Sequence, residues 1–266
     1  MNKFLSQRAD ACRTLSDSRG QNTVNLMLYG DSGTGKSHFL STCRCPLYVF
    51  SFDPGGTKLP PLQQMVLDGR AILDTQYELE NMQNPTAFNL FDKTCDELDK
   101  NNVWGEVATV AIDSLTTMEQ AVMYQILKKA GRPGTTPQQA DYMTCQGLVT
   151  QIIKKFCSLP CDFVLIGHIK TERDELSGKI SSYLMVAGQL AVKVPILMDE
   201  VLVSDVVNDG KKTKYIIHTQ NDGKLKASTR RFGSGFESVE VPDMKYLRKK
   251  AGMSIDDLPN LEVTNI

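Results

Sequence analysis

Residues 30–37 read Gly30-Asp31-Ser32-Gly33-Thr34-Gly35-Lys36-Ser37, a full match to the pattern G-x-x-x-x-G-K-[ST]. Each fixed position has a physical reason. Gly30, Gly33 and Gly35 permit backbone angles closed to other residues, so successive N–H groups can point into one concavity. Lys36 then neutralises phosphate oxygens, and the Ser37 hydroxyl suits Mg²⁺. Asp31, Ser32, Thr34 and the following His38 complete the candidate binding segment. The flanks agree with this reading. Residues 23–29 (TVNLMLY) are apolar and β-prone, hence a buried strand, and residues 36–43 read as a helix. A strand, a glycine-rich turn and a helix in that order distinguish a phosphate cradle from an ordinary turn.

Two further strands end on acids. Residues 107–112 (VATVAI) form an apolar strand that delivers Asp113 at its C-terminal end, where ligands bind in open α/β sheets. Asp113 is expected to hold Mg²⁺ together with Ser37; the ordinary alternative is an Asp113-Ser114 helix cap. Residues 46–52 (PLYVFSF) form another strand, stopped by Asp53-Pro54-Gly55-Gly56. Ser114 follows Asp113 where many P-loop motors carry a Glu that activates water, so a chain of that kind must keep its base elsewhere. Asp53 is the leading candidate, against the plain reading of a turn-forming Asp-Pro.

The rest of the chain continues the alternation. Helical character is expected around residues 77–83 and 88–100, over 115–129, and over 147–156. Residues 163–166 (FVLI) read as a fourth strand, 131–137 as a loop and 171–188 as a polar stretch. Residues 201–207 and 213–219 flank Asn208-Asp209-Gly210, a hairpin signal. Strands alternating with helices predict an α/β fold with a mainly parallel central sheet flanked by helices and a C-terminal β-hairpin extension. The expected organisation is an N-terminal segment (1–21), a core domain (22–242) and a C-terminal helix and tail (243–266).

Composition narrows the function classes. The 266 residues carry 30 basic and 31 acidic side chains, which excludes a wholly basic nucleic-acid-coating protein. No apolar run approaches a membrane span, and residues 1–20 hold no apolar stretch long enough for a secretory signal, so a cytoplasmic protein is expected. Cys12, Cys43, Cys45, Cys95, Cys145, Cys157 and Cys161 are irregularly spaced and read as free thiols. Charge is uneven: residues 71–100 hold seven acids and two bases, and residues 210–232 seven bases and one acid. Such runs are usually solvated faces, although opposite faces can also mate head to tail in a ring or filament.

GDSGTGKS, the strand ending at Asp53, VATVAIDSLTTM, VLIGHIK and LKASTR occur in an order that resembles RecA-like P-loop ATPases. Among these the chain is most similar to the compact phage-encoded RecA-core ATPases of the single-strand annealing type. The resemblance covers roughly residues 22–235. It implies ATP and Mg²⁺ as ligands, ATP hydrolysis stimulated by single-stranded DNA, and a homo-oligomer, with a single-stranded-DNA-binding protein as a further partner. It also implies the host cytoplasm as location and recombination, annealing or replication as setting. By the same resemblance, Lys36, Asp53, Asp113 and His168 are catalytic, His168 sensing the terminal phosphate. The family more often carries Glu near the Asp53 position. Lys226 and Arg230 resemble the basic strand that reaches a neighbour's nucleotide; their four-residue spacing places them on one strand face, as would a charge-guarded edge strand. DNA-contacting loops would correspond to residues around 130–142, with Lys129 and Arg132 near, and to 171–188, with Arg173 and Lys179. These loops offer only Tyr142 and Tyr183 for base stacking.

Two other functions compete. A P-loop small-molecule kinase would need a lid with several arginines, and residues 114–130 contain none. A nucleotide-gated assembly or interaction module would bind tightly and turn over little.

Overall fold

A computed structural model describes residue 8 and residues 22–262, apart from 174, 176, 177, 179, 209, 211 and 234. The expected N-terminal segment 1–21, with Cys12, therefore lies almost wholly outside the described residues, as do Lys179, Asp209 and Lys211. Ten strands form one sheet among the described residues. They are β1 (Asn25–Gly30), β2 (Leu47–Ser51), β3 (Ala71–Asp74), β4 (Thr109–Asp113), β5 (Asp162–Arg173), β6 (Ile180–Leu184), β7 (Glu200–Asn208), β8 (Thr213–His218), β9 (Ser228–Thr229) and β10 (Val239–Glu240). The order along the sheet is β10-β8-β7-β1-β5-β4-β2-β3, with β6 beside β5 and β9 beside β7. The six strands from β7 to β3 in that order are parallel, and β8, β10, β6 and β9 are antiparallel additions.

The helices are α1 (Lys36–Leu40), α2 (Pro60–Leu67), α3 (Ala87–Lys100), α4 (Leu115–Lys129), α5 (Gln139–Phe156), α6 (Leu190–Leu197) and α7 (Met244–Lys250). Strand pleating divides the core into two layers. Met27 and Tyr29 of β1 join Phe50, Phe91, Phe156 and Phe163 in one cluster, which takes in α3 to α6. Leu26 and Leu28 join Phe39, Leu62, Met244 and Leu247 in the other, which takes in α1, α2 and α7. A strand buried on both faces reads as a continuous apolar run, which is why β1, β2 and β4 were legible.

Several expectations need correction. Residues 77–83 are turns, not helix. Tyr77 is buried in the aromatic cluster, and the Glu80 carboxylate accepts the N–H groups of Asn81, Thr86 and Ala87, so the segment is folded back to start α3. The helix expected at 147–156 begins at Gln139, where Gln138 and Asp141 form a capping box. The polar stretch 171–188 is largely a hairpin: β5 runs on to Arg173 and pairs with β6, Thr171 and Ser182 sharing a 2.9 Å hydroxyl contact. β7 and β8 do pair across the Asn208 turn, Asn208 opposite Thr213.

A buried charge cluster ties α7 to the N-terminal ends of β1 and β5. Arg248 is fully buried, and its Nη1 donates to both Asp162 oxygens at 2.8 and 2.9 Å. Arg44 Nε donates to Asp162 Oδ2 at 2.9 Å, and Val24 N–H to Asp162 Oδ1 at 2.9 Å. Arg248 Nη2 also donates to the Asn22 carbonyl at 2.7 Å. Every polar group of the buried carboxylate therefore has a partner.

Candidate functional site

The parallel strands bring their C-terminal ends to one edge of the sheet. In register, Gly30 stands opposite both His168 of β5 and Ser204 of β7, and Ser51 stands opposite Asp113. The loops after β1, β2 and β4 thus share one cleft of about 1180 Å³, lined by Lys36, Ser37, Asp53, Asp113 and His168 among others.

The glycines of the loop divide their work differently from the sequence expectation. Gly33 and Gly35 have φ of 78° and 86°, the left-handed region that glycine favours. Gly30 is not among the left-handed glycines; a Cβ there would lie 2.3 Å from Ser204 Oγ, so β7's close approach is what demands it. Thr34 Oγ1 and Ser204 Oγ are 2.7 Å apart, which closes the loop against β7. Lys36 Nζ donates to the carbonyls of Gly30 at 3.0 Å and Asp31 at 2.6 Å. Burial pushes the Lys36 ammonium below its ordinary range, while Asp113, Asp53 and Asp31 pull it back up. Asp31, Ser32, Gly33 and His38 are exposed at the rim of the site.

Ser37 Oγ donates to Asp113 Oδ2 at 2.8 Å. Burial raises the Asp113 carboxyl to about 6, against the pull of the Ser37 hydrogen bond and Lys36. A Cβ added at Gly56 would lie 3.0 Å from both Asp113 Oδ2 and Ser37 Oγ, so glycine keeps that space open. Among the described residues no group of three or more His, Cys, Asp or Glu side chains is placed to hold a metal ion by itself. A hydroxyl, one carboxylate and room beside them fit Mg²⁺, which takes few protein ligands and completes its shell from phosphate and water.

Asp53 sits across the cleft. His168 Nε2 lies 2.8 Å from its Oδ2, and Thr117 donates its hydroxyl to Oδ1. Burial works against the Asp53 charge, but hydrogen bonds from His168, Thr117 and Ser114 outweigh it and hold the carboxyl below its ordinary value. The backbone supports this placement: Phe52 and Asp53 both donate N–H to the Asp113 carbonyl, at 2.6 and 3.2 Å. Ser114 also caps α4, accepting from the Thr117 N–H, so the helix-cap reading of Asp113-Ser114 holds for Ser114. Glu80 spends its carboxylate on α3's first turn, whereas Glu78 accepts from Ser51 and Thr57 at 2.7 and 3.1 Å.

Lys226 and Arg230 do not line this cleft. Strand β9 is only Ser228–Thr229 and pairs with Val201 and Glu200, at the end of β7 away from the loop. The four-residue strand face expected from sequence is therefore absent, because Arg230 lies past the strand. Lys226 Nζ stands 5.8 Å from the Tyr183 ring centre, and Arg230 donates to the Ile196 carbonyl at 3.1 Å. The turn is gripped by Glu200, whose Oε1 accepts the N–H groups of Arg230, Arg231 and Phe232 at 3.3, 2.7 and 2.7 Å. Arg132 of the first candidate DNA loop is held by both oxygens of Asp141 at 2.9 Å.

Sequence reasoning missed Thr117, Ser204 and Gly56. Thr117 carried a signal, standing three residues after the capping Ser114; the other two become visible only when the strands are paired.

A phosphate-binding loop after β1, with the Asp113 strand separated from it by β5, defines a RecA-like P-loop NTPase. The chain belongs to the AAA domain family, whose model (AAA_24) matches residues 22–231. Two solved structures resemble it at low identity. The KaiC-like protein PH0186 from Pyrococcus horikoshii OT3 is 10% identical, with a TM-score of 0.39, covering 74% of this chain and 78% of that one. The flagellar accessory protein FlaH from Methanocaldococcus jannaschii is 9% identical, with a TM-score of 0.42, covering 85% and 88%. No curated protein matches the sequence. Among the described residues no helix is long and apolar enough to cross a membrane.

Proposed function

We propose that this protein binds ATP at the Gly30–Ser37 loop and hydrolyses it, as a homo-oligomer stimulated by single-stranded DNA. The observation that carries the hydrolytic reading is the convergence of Lys36, Ser37, Asp113 and Asp53 on one cleft. The loop N–H groups and Lys36 would hold the phosphates, Lys36 leaving its carbonyl partners for the β- and γ-oxygens. Ser37 and Asp113 would hold Mg²⁺, which offsets charge on the phosphates when bound. Asp53, kept ionised and aimed by His168 and Thr117, would accept a proton from the attacking water.

The DNA and assembly parts rest on other features. The β5–β6 hairpin carries Lys170 and Arg173 out from the sheet, although Lys170 is paired with Glu172 at 2.6 Å. The order of the motifs and their likeness to phage-encoded RecA-core ATPases support work in recombination, annealing or replication, in the cytoplasm. Lys226 and Arg230 stand away from their own subunit's cleft, which suits residues that complete a neighbour's site.

The test is the steady-state ATPase rate against single-stranded DNA concentration, with oligomer size measured in ATP. Stimulation together with assembly supports the full reading. Phosphoryl transfer to a metabolite would make the protein a kinase, and tight binding without turnover would make it a nucleotide-gated interaction module.

A further inference from the structure

The segment Ser51-Phe52-Asp53-Pro54-Gly55-Gly56-Thr57 joins β2 to the turn before α2 and carries two parts of the cleft. Asp53 is the candidate base, and Gly56 leaves room beside Asp113 and Ser37. Its first half is fixed by the backbone, through the Phe52 and Asp53 N–H groups on the Asp113 carbonyl. Its second half is two successive glycines, Gly55 with a φ of 102°. Glycines leave a chain many other conformations, so the shape of this half has to be imposed from outside.

One carboxylate oxygen grips the segment at both ends. Glu78 Oε1 accepts the Ser51 hydroxyl at 2.7 Å and the Thr57 hydroxyl at 3.1 Å. Ser51 is fully buried and Thr57 is 4% exposed. A buried hydroxyl left without a partner is costly, so both donors commit the segment to Glu78. Glu78 itself is presented by an anchored turn. The neighbouring Tyr77 ring stacks on Phe52 with centres 5.1 Å apart, and its hydroxyl donates to Asp74 Oδ2 at 2.6 Å. Gln63 Nε2 donates to the Thr57 carbonyl at 2.6 Å and ties the far end to α2. Glu78 does not line the cleft.

We propose that Glu78 is a positioning residue for hydrolysis: by holding Ser51 and Thr57 on one oxygen, it sets where Asp53 meets water and how Gly56 faces the Ser37–Asp113 pair. The inference rests on the hydrolytic reading and deepens it. Glu78 acts through the segment and not on the reacting atoms. A shift of about 1 Å in a catalytic group can cost about 10²-fold in rate, so a remote grip of this kind has kinetic weight. The phosphate loop is held separately, by Ser204 and by its own carbonyls on Lys36. Loss of Glu78 therefore falls on the rate and spares ATP affinity. A base must take up a proton, whereas a grip needs only an acceptor oxygen, and glutamine supplies the second without the first.

The experiment measures single-turnover ATP hydrolysis, ATP affinity and melting temperature on the full chain. Glu78→Ala should hydrolyse at least about tenfold more slowly, with ATP affinity within about twofold of wild type. Glu78→Gln should keep most of the rate, because its amide oxygen still accepts. Thr57→Val should show part of the loss, and adding it to Glu78→Ala should cost little more, since one contact cannot be lost twice. A wild-type rate in folded Glu78→Ala would overturn the proposal. Equal large losses in Glu78→Ala and Glu78→Gln would make Glu78 the base and also overturn it. A fall in ATP affinity that matches the fall in rate would reduce Glu78 to general support of the fold, against the proposal. Should Glu78→Ala fail to fold, Thr57→Val decides: slower hydrolysis at unchanged ATP affinity supports the grip, and an unslowed rate overturns it. ATP binding by wild type without turnover would overturn the hydrolytic reading itself and the positioning role with it.

Discussion

His168 Nε2 lies 2.8 Å from Asp53 Oδ2, across 115 residues of sequence. The contact joins the end of β2 to the middle of β5, on either side of Asp113 on β4. A carboxylate fixed by an imidazole and a hydroxyl loses little freedom when water arrives, which is how positioning becomes rate. Asp53→Asn should lower single-turnover hydrolysis by about 10²-fold or more with ATP affinity nearly unchanged. His168→Ala should lower turnover less, because Thr117 still holds the other oxygen. Wild-type hydrolysis in Asp53→Asn would move the base elsewhere, Glu78 being the next acid to test.

The metal reading can be probed without touching a ligand. Gly56→Ala places a methyl group 3.0 Å from Asp113 Oδ2 and Ser37 Oγ. The Mg²⁺ concentration giving half-maximal hydrolysis should rise several-fold, with little change in melting temperature. Asp113→Asn should raise it further. An unshifted Mg²⁺ dependence in both variants would remove the cation from this pair.

Assembly has its own test. Lys226→Ala/Arg230→Ala should bind ATP and turn it over slowly, and Lys36→Ala should be inactive for loss of its phosphate contact. If the basic pair acts on a neighbour, mixing the two proteins restores interfaces with an intact loop facing intact cations, and partial activity returns. Each protein must first be shown to assemble and exchange subunits. Zero activity at every mixing ratio, with exchange demonstrated, would assign the pair to its own subunit's surface.

Arg248 and Lys245 share α7 and carry the same charge, yet should differ in weight. Arg248→Ala leaves Asp162 buried beside one arginine fewer and is expected to cost about 3–5 kcal/mol in urea unfolding. Lys245→Ala breaks a half-exposed pair with Asp257 and should cost under about 1 kcal/mol.

Glu200 sets a pH dependence. Burial raises its carboxyl from 4.5 to about 7, against three backbone N–H donors, and its Oε2 has no hydrogen-bond partner among the described residues. Folding therefore favours the protonated form. Its contribution is most favourable below about 4.5 and is lost as pH rises through about 7. Asp113 titrates in the same sense, so the informative quantity is a difference. Glu200→Gln should reduce the fall in melting temperature between pH 5 and pH 8 relative to wild type. Parallel pH curves for the two proteins would refute the assignment.

Legibility followed burial and periodicity. β1, β2 and β4 stand out because strands covered on both faces must be apolar throughout, and the loop after β1 is constrained at nearly every residue by phosphate chemistry. β3 and α2 were hidden within a mixed stretch, since a four-residue edge strand leaves almost no pattern. The β5–β6 hairpin was hidden by its polarity, because a pair that projects from the sheet needs no apolar face. Asp53 could be proposed from its strand end, but its partnership with Thr117 depends on which strand lies beside which. Arg248 gave no local signal at all: a surface-type residue was drawn inside by an aspartate 86 positions earlier.

Helix α7 faces two ways. Its inner side is clamped by Asp162 at one end of the sheet, and its outer side carries Tyr246 and Lys250 into the cleft at the other. One short rigid body thus touches both places, and thermodynamic reciprocity applies to it. A ligand that leans on Tyr246 must make the helix harder to peel away, and by the same factor a chain loosened at Asp162 must hold that ligand less firmly. Amide exchange along residues 244–250 is the natural meter of that exchange of stability.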